Sequence, residues 1–222
     1  MTTFWLRLGY KPLAIKEAHG FSGGVWALGL LSLQLQVAVV ASHRQAGSLR
    51  FSSNTASWVG TGVYASPTPS LRSDLWEHLC GVANLVQGPW AFLGDFNDVS
   101  SATEVRGGAF SPARAQAFVE NYEACGLLDL GAFRLSFTWY RHAQGRRPLH
   151  RRLDRALANL DWRIGFPQGS IEVLPRQHSD HNTLFLRCCP RREALVNKPF
   201  RFEAAWMDHP QYHQVITEAW RK

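Results

Sequence analysis

The sequence predicts a layered α/β sandwich, because short apolar strand candidates interleave with helix candidates along the chain. Hairpin-like turns separate several of the strands, and they favour a sandwich over a simple doubly wound sheet. The chain has 222 residues, and since domains commonly run to about 150 residues, one domain with a tail is expected. Apolar residues make up 45% and charged residues 18%, which supports a packed core and argues against wholesale disorder.

The first half of the chain predicts a series of strands around one helix. The strand candidates are a segment starting at Val25, Gln34–Ala41, Leu49–Ser52, Trp58–Tyr64 and Trp90–Leu93. Leucine and valine recur every three or four residues from Leu71 to Val86, which forms one face of a helix with Ser70 as its expected N-cap.

The second half continues the alternation. A helix is predicted from Ser111–Pro112 to Cys125, since serine followed by proline is typical of a helix start and Gly126 of its end. The remaining predictions are a strand at Ser136–Arg141, a turn at Gln144–Gly145, extended chain at His150–Asp154, a short helix at Arg155–Asn159, and strands at Ile171–Leu174 and Thr183–Cys188. After Pro190 the composition turns basic, and an amphipathic segment ends at Lys222.

The overall charge points to a polyanionic partner. The net charge is +7 and the pI is about 9.6, which favours association with nucleic acid but specifies no chemistry. Four cysteines without metal-ligand spacing suggest a reducing compartment. The start of the chain lacks the pattern of a signal peptide, and the apolar run Val25–Val40 is interrupted and short of about 20 residues. We therefore expect a nuclear or cytoplasmic protein that is neither secreted nor membrane-bound.

Polar side chains that could carry chemistry stand beside the predicted strands. Asp95 and Asn97 are two residues apart, so on extended chain they face the same side. A carboxylate beside a carboxamide can orient a water molecule and hold a phosphate oxygen. The alternative is an ordinary turn, because Gly–Asp and Asn–Asp are common turn pairs.

A histidine and further acidic residues follow later in the chain. His181 can carry charge near neutral pH, and when a carboxylate such as Asp154 holds it, it can bind a phosphate or exchange a proton. Asp180 could accept a hydrogen bond or bind a metal ion. Each residue alone also fits a structural role: a surface or core position for His181, and a core ring with a satisfied hydroxyl for Tyr64.

The order of these motifs resembles the endonuclease/exonuclease/phosphatase superfamily. The segments that carry the resemblance are Tyr64–Pro67, Gly94–Asn97, Phe137–Trp139, Arg152–Asp154 and Ser179–His181. Phe21–Trp26 and Lys198–Trp206 are similar to segments of the endonuclease domain of plant LINE-type (non-LTR) retrotransposons, the second as the connector toward a reverse transcriptase. The resemblance extends from Leu8 to Trp220 and implies a four-layer α/β sandwich.

The resemblance also implies a hydrolytic site for phosphodiesters in DNA or another nucleic acid. Asp95 corresponds to the residue that activates water and Asn97 to the one that positions water or phosphate. Tyr64 and His181 correspond to phosphate contacts, and Asp154 to the carboxylate that orients the histidine.

The same resemblance implies a metal cofactor and residues that form the wall of the site. Asp180 matches a carboxylate near the metal, and Thr138 and Trp139 match supporting positions at the wall where the substrate binds. The implied cofactor is a divalent ion, usually Mg²⁺, which stabilises the charge that develops during hydrolysis.

The chain departs from the family pattern at its N-terminus. The family opens with a strand ending in asparagine and a second strand ending in a metal-binding glutamate, and neither is visible before Gly20; Glu17 stands in a different context. We therefore expect a sandwich missing its first strands over residues 1–190, followed by the basic connector and helix at 191–222. An incomplete Mg²⁺ site with weak or no activity is the expected consequence, because losing an electrostatic stabiliser commonly costs about two powers of ten in rate or more.

Arginines cluster between Arg141 and Arg155, and a hairpin carrying them could track a phosphate backbone. Arg141, Arg146, Arg147 and Arg151 are the predicted substrate-binding members; Arg152 and Arg155 complete the cluster. A solvated charged face is the alternative interpretation. Two further hypotheses for the whole chain follow: a non-enzymatic nucleic-acid-binding remnant that uses only this hairpin, and an unstable product of a decayed element.

Overall fold

The computed structural model describes residues 2–18, 24–54, 56–141, 148–188 and 212–220. Within these ranges the helices are α1 (Thr2–Arg7), α2 (Ser73–Ala83), α3 (Pro112–Ala124), α4 (Leu160–Gly165) and α5 (Tyr212–Trp220). The strands are β1 (Tyr10–Lys16), β2 (Val25–Leu30), β3 (Gln36–His43), β4 (Ala46–Ser52), β5 (Ser57–Tyr64), β6 (Trp90–Asp95), β7 (Val105–Arg106), β8 (Leu127–Asp129), β9 (Trp139–Arg141), β10 (Leu149–Arg151), β11 (Asp154–Asn159), β12 (Ser170–Leu174) and β13 (Thr183–Arg187).

A six-stranded sheet in the order β3-β4-β5-β6-β11-β8 forms the centre of the unit Met1–Pro190. β5 and β6 are parallel, with α2 between them in sequence, whereas the other pairs in the sheet are antiparallel. Apolar side chains of β5 and β6 pack against α2 and α3 on one face and make the main core, which includes Val59, Phe92, Leu79 and Phe118.

Two smaller antiparallel sheets, β1-β2 and β12-β13, cover parts of the opposite face. β2 contacts β5, and β13 contacts β6 and β11. Val25 approaches Gly62 of β5, so its neighbour Trp26 faces away from the central sheet; there its ring contacts Trp5 of α1 at 5.9 Å. The layers are therefore α2 and α3, the central sheet, the small sheets, and α1. This is a mixed α/β sandwich, and the predicted fold class is confirmed.

Most predicted elements are present with shifted ends. β2 through β6, α3, β12 and β13 lie where the sequence predicts strands and a helix. Ser111 caps α3 as predicted, because its side chain accepts a hydrogen bond from the Arg114 amide. Ser70 does not cap α2: it lies in a 3₁₀ turn at Pro69–Leu71, and the helix begins at Ser73.

The predicted short helix at Arg155–Asn159 is wrong, because these residues belong to strand β11. Ala156, Leu157 and Ala158 favour a helix locally, yet all three are fully buried between β6 and β8. Tertiary packing therefore decides their conformation. The predicted turn at Gln144–Gly145 lies outside the described residues.

The second unit, Arg191–Lys222, is described only through α5. Its resemblance to the lead-in of a reverse transcriptase stays a prediction. Among the described residues, no helix is long and apolar enough to span a membrane.

Candidate active site

Three adjacent strands of the central sheet place Tyr64, Asp95 and Asp154 side by side. Tyr64 at the end of β5 is the register partner of Asp95 at the end of β6. Asp154 at the start of the antiparallel β11 is the partner of the same Asp95. Residues paired across neighbouring strands project from the same face of a sheet. The fold therefore brings together three residues that are up to 90 positions apart in sequence.

The segment after β6 turns sharply and brings Asn97 back onto Asp95. The amide N–H of Asn97 donates to Asp95 Oδ1 at 2.8 Å, and its side-chain Nδ2 donates to Asp95 Oδ2 at 3.0 Å and to the Ala65 carbonyl at 2.8 Å. Asn97 has a φ of 50°, a left-handed conformation that asparagine tolerates. Gly94 is needed nearby, because its φ is 148° and a Cβ would lie 1.9 Å from the Val63 carbonyl oxygen.

His181 lies in the loop between β12 and β13 and joins Tyr64, Asp95 and Asp154 through its contact with Asp154. Its Nδ1 lies 2.9 Å from Asp154 Oδ2. Thr138 holds the backbone at Asp154 in place, since its Oγ1 accepts hydrogen bonds from the amides of Leu153 and Asp154 at 3.0 and 2.9 Å. Thr138 is fully buried. It therefore supports the site rather than presenting a surface to a substrate, contrary to the predicted substrate contact.

Burial and neighbouring charges shift the pKa values of three side chains in the site. Burial first, and the neighbouring Asp154 carboxylate second, raise the pKa of Asp95 to about 6. The hydrogen bond to Asp154 raises the pKa of His181 against the opposing effect of burial. Burial, with added repulsion from Asp95 and Asp180, raises the pKa of Tyr64. The site thus holds a carboxylate that titrates near pH 6, an imidazole whose protonated form is favoured and a protonated phenol.

Asp95, Asp154 and His181 are also the described residues whose ligand atoms best suit a divalent cation. One ligand atom from each lies within 4.8 Å of the other two. Two adjacent carboxylates with one imidazole leave excess negative charge, and this charge adds to burial, the larger effect, in raising the pKa of Asp95. Carboxylate oxygens are ligands that hard divalent cations prefer, so the donor set fits a divalent metal ion. This group, found among the described residues, contains no glutamate and does not include Asp180, the predicted metal ligand.

Two clefts meet at His181. The larger, of about 860 Å³, runs between β1-β2 and the central sheet and is lined by Tyr64, Asp95 and Asp154. The smaller, of about 390 Å³, is lined by Asn97, Trp139, Arg151 and Arg114. A ligand at His181 therefore has carboxylates on one side and arginines on the other.

Asp180 and Trp139 form part of the wall near His181. The indole Nε1 of Trp139 donates to Asp180 Oδ2 at 2.9 Å, and Trp139 forms a β-bridge with His181. Asp180 lies close enough to Tyr64 and His181 to raise both pKa values. Its predicted role as a metal ligand stays a prediction, and its described partner is the indole.

The arginine cluster divides into different environments. Arg152 and Arg155 point inward and pair with Glu104 and Asp129, so they are unavailable to a phosphate backbone. Arg151 is partly buried, lines the smaller cleft and donates to the Ala109 carbonyl at 3.0 Å. Arg141 is exposed on β9. The predicted contacts Arg146 and Arg147 lie outside the described residues.

Sequence reasoning missed two supports of the site. Asn182 holds the His181 loop, because its amide donates to the Phe137 carbonyl and its oxygen accepts from the Arg176 amide. Asp98 accepts from buried Arg72 at 2.6 Å and from Arg114 at 3.1 Å. Asp98 and Asn182 adjoin the recognised motifs, and that adjacency is the signal that could have found them.

The model of the endonuclease/exonuclease/phosphatase family matches residues 6–181. The chain belongs to the endonuclease/exonuclease/phosphatase family. The candidate site lies within that span. Among curated proteins, none matches the sequence.

Solved structures share the fold of this family member at low sequence identity. The endonuclease domain of TRAS1, a telomere-specific non-LTR retrotransposon, superposes with a TM-score of 0.64 and 16% identity, over 81% of this chain and 80% of that one. The 3′ phosphatase NExo from Neisseria, bound to a product DNA hairpin, gives a TM-score of 0.57 and 15% identity over 84% and 82%. A family protein from Leptotrichia buccalis gives 0.55 and 15% over 80% and 71%.

Proposed function

We propose that this family member hydrolyses phosphodiester bonds in nucleic acid, DNA foremost, with a divalent cation as cofactor. The observation that carries the proposal is the cluster of Asp95, Asp154 and His181 at the junction of two clefts. The positive net charge of +7 supports a polyanionic substrate. The fold shared with a retrotransposon endonuclease domain and a DNA-bound phosphatase supports the same substrate class and an origin in a retrotransposon.

Asp95 is suited to accept the proton of the attacking water. A pKa of about 6 leaves it largely ionised at neutral pH yet basic enough to take a proton. Asn97 holds both carboxylate oxygens through its amide and side chain, so the carboxylate keeps one orientation.

His181 and Tyr64 are suited to bind the phosphate. Because Nδ1 of His181 is engaged by Asp154, Nε2 remains as the ring's second N–H donor for a phosphate oxygen. The raised pKa of Tyr64 keeps its phenol protonated and able to donate. A bound Mg²⁺, held by Asp95 and Asp154, would neutralise charge on the phosphate.

We further propose that turnover is slow. Mg²⁺ prefers octahedral oxygen ligation, and the described group supplies two carboxylates, one of which also holds His181. Slow hydrolysis, rather than nucleic-acid binding alone, is the better-supported function, because two arginines of the Arg141–Arg155 cluster are committed to internal ion pairs.

Nicking of supercoiled plasmid DNA by the full chain with Mg²⁺ tests the proposal. We expect Asp95→Asn and His181→Ala each to lower the nicking rate about 100-fold or more. The matched controls Asp74→Asn and His78→Ala replace residues of α2 outside the site, where Asp74 is exposed and His78 stacks on His43, and should nick at the wild-type rate. Equal nicking by all variants would refute the assignment, and salt-sensitive DNA binding without nicking by the wild type would support the binding-only alternative.

A further inference from the structure

Two cysteines on neighbouring helices lie in direct contact beneath the candidate site. Cys80 is on α2, one turn beyond Trp76, and Cys125 follows the last residue of α3. Their Sγ atoms are 2.8 Å apart, and both thiols are free. A disulfide has an S–S distance of about 2.05 Å. Less than about 1 Å of movement therefore separates this contact from a covalent bond.

We propose that Cys80 and Cys125 are a site of reversible oxidation, at which a peroxide converts the two thiols into a disulfide that joins α2 to α3. Cys80 reacts first, because it is partly exposed whereas Cys125 is buried. Burial, followed by the contact with Cys80, raises the pKa of Cys125, which keeps it a thiol until its partner is oxidised.

The reaction balances in two steps. The thiolate of Cys80 attacks one oxygen of hydrogen peroxide, the O–O bond breaks, and the products are a sulfenic acid and a hydroxide ion, which takes up the proton that the thiol released and becomes water. Cys125 Sγ then attacks the Cys80 sulfur, an S–S bond forms, and the hydroxyl leaves with the thiol proton as a second water. Two electrons pass from the two sulfurs to the peroxide.

The cross-link would act on the scaffold that holds the site. Phe96, which stands between Asp95 and Asn97, is packed between Trp76 of α2 and Phe118 of α3, with ring centroids 5.9 and 5.8 Å apart. A bond from Cys80 to Cys125 fixes the two helices on either side of that ring. The disulfide also joins two residues that are 45 positions apart, and the loop that it closes reduces the conformational entropy of the unfolded chain.

Mass spectrometry and thermal unfolding of the full chain, before and after hydrogen peroxide treatment, test the proposal. Trypsin cuts after Arg72, Arg106, Arg114 and Arg134, so the two cysteines fall in different peptides that a disulfide would link. We expect the linked pair, a rise in Tm of about 5–15 °C, and reversal of both by dithiothreitol. The matched control Cys188→Ala should behave as the wild type.

Cys80→Ala should abolish both the linked peptide and the rise in Tm. Cys80→Ser, which keeps the size of the side chain, gives the same test if the alanine variant does not fold. Oxidation that stops at a sulfinic acid on Cys80, or that links Cys80 to Cys188 or Cys189 instead, would overturn the proposal.

Discussion

The start of β11 separates two clusters of charged, largely buried side chains. On one side Asp154 joins Asp95 and His181 in the candidate site. On the other, Arg152 and Arg155 meet Glu104 and Asp129. The second group is called the arginine–carboxylate cluster below. It contains two cations and two anions, whereas the site contains two carboxylates and one imidazole.

The carboxylates of the two clusters respond oppositely to similar burial. Burial alone raises the pKa of Glu104, but its bonds to Arg155 outweigh this effect and the net pKa is lowered. The pKa of Asp129 is lowered in the same way, with Arg152 outweighing burial. Asp95 faces another carboxylate, and its pKa rises to about 6. Because burial raises the pKa of all three carboxylates, the sign of the neighbouring charge decides whether the net pKa is lowered, as for Glu104 and Asp129, or raised, as for Asp95.

The largest expected effect comes from breaking the arginine–carboxylate cluster. Arg155 has a fully buried side chain that bonds both Glu104 and Asp129. We expect Arg155→Ala to lower the free energy of unfolding by about 3–5 kcal/mol, because it removes one of the two cations that neutralise the buried carboxylates Glu104 and Asp129 and leaves Arg152 alone to pair with both. Urea denaturation measures the change.

Arg44→Ala is the matched control for that experiment. Arg44 pairs with Asp74 at 2.6 Å, but both side chains are more than half exposed, and the expected loss is under about 1 kcal/mol. Similar losses for the two variants would show that burial does not distinguish the two ion pairs.

The candidate site could be predicted from the sequence, whereas the arginine–carboxylate cluster could not. Asp95, Asn97 and His181 were recognised because each stands in a short motif beside a strand. The order of such motifs can be read from the sequence without knowledge of the fold. Arg152 and Arg155 were interpreted as a basic surface because their partners are distant in sequence: Glu104 is 48 residues from Arg152. Pairing across such distances depends on β11, a strand whose alanine and leucine residues have high helix propensity and so predicted a helix.

A second prediction uses pH to separate the clusters. A carboxylate whose pKa is raised by folding destabilises the native state once it ionises, so Asp95 contributes a loss of stability as pH rises from about 4 through about 6. The shift from 3.8 to about 6 corresponds to about 3 kcal/mol. Without divalent cations, Asp95→Asn should abolish this decline in urea denaturation.

Glu104→Gln gives the opposite result in the same assay. Its lowered pKa means that wild-type stability is present above pH 4.5 and is lost as pH falls. The Gln variant should therefore be less stable than the wild type at neutral pH and should converge on it in acid. An Asp95→Asn variant that still loses stability between pH 4 and 6 would contradict the assignment of that titration to Asp95.

A third prediction adds the cation. Mg²⁺ at about 100 times its dissociation constant should stabilise the native chain by about 2.7 kcal/mol, measured as a rise in Tm. The rise should be smaller at pH 5.5 than at pH 7.5, because protonated Asp95 cannot bind the ion. The arginine–carboxylate cluster carries no excess charge, so Glu104→Gln should leave the dependence on Mg²⁺ intact, whereas Asp95→Asn should remove it.

The smallest expected effect concerns the ion pair of His181 and Asp154. Folding raises the pKa of His181 through this contact, so its stabilisation is fully present below pH 6.5 and disappears as pH rises through the folded pKa. In metal-free urea denaturation, His181→Ala should therefore cost about 1 kcal/mol at pH 5.5, and this cost should shrink as pH rises through the folded pKa of His181. Because Asp95 and His181 both favour the protonated state, the site without a cation is most stable in mild acid, while activity needs Asp95 ionised and His181 cationic. Bound Mg²⁺ favours ionised Asp95, so the nicking rate should rise at a pH below the metal-free value of about 6 and should fall as His181 loses its proton. A cost of His181→Ala that is independent of pH would contradict the assignment of that proton to His181.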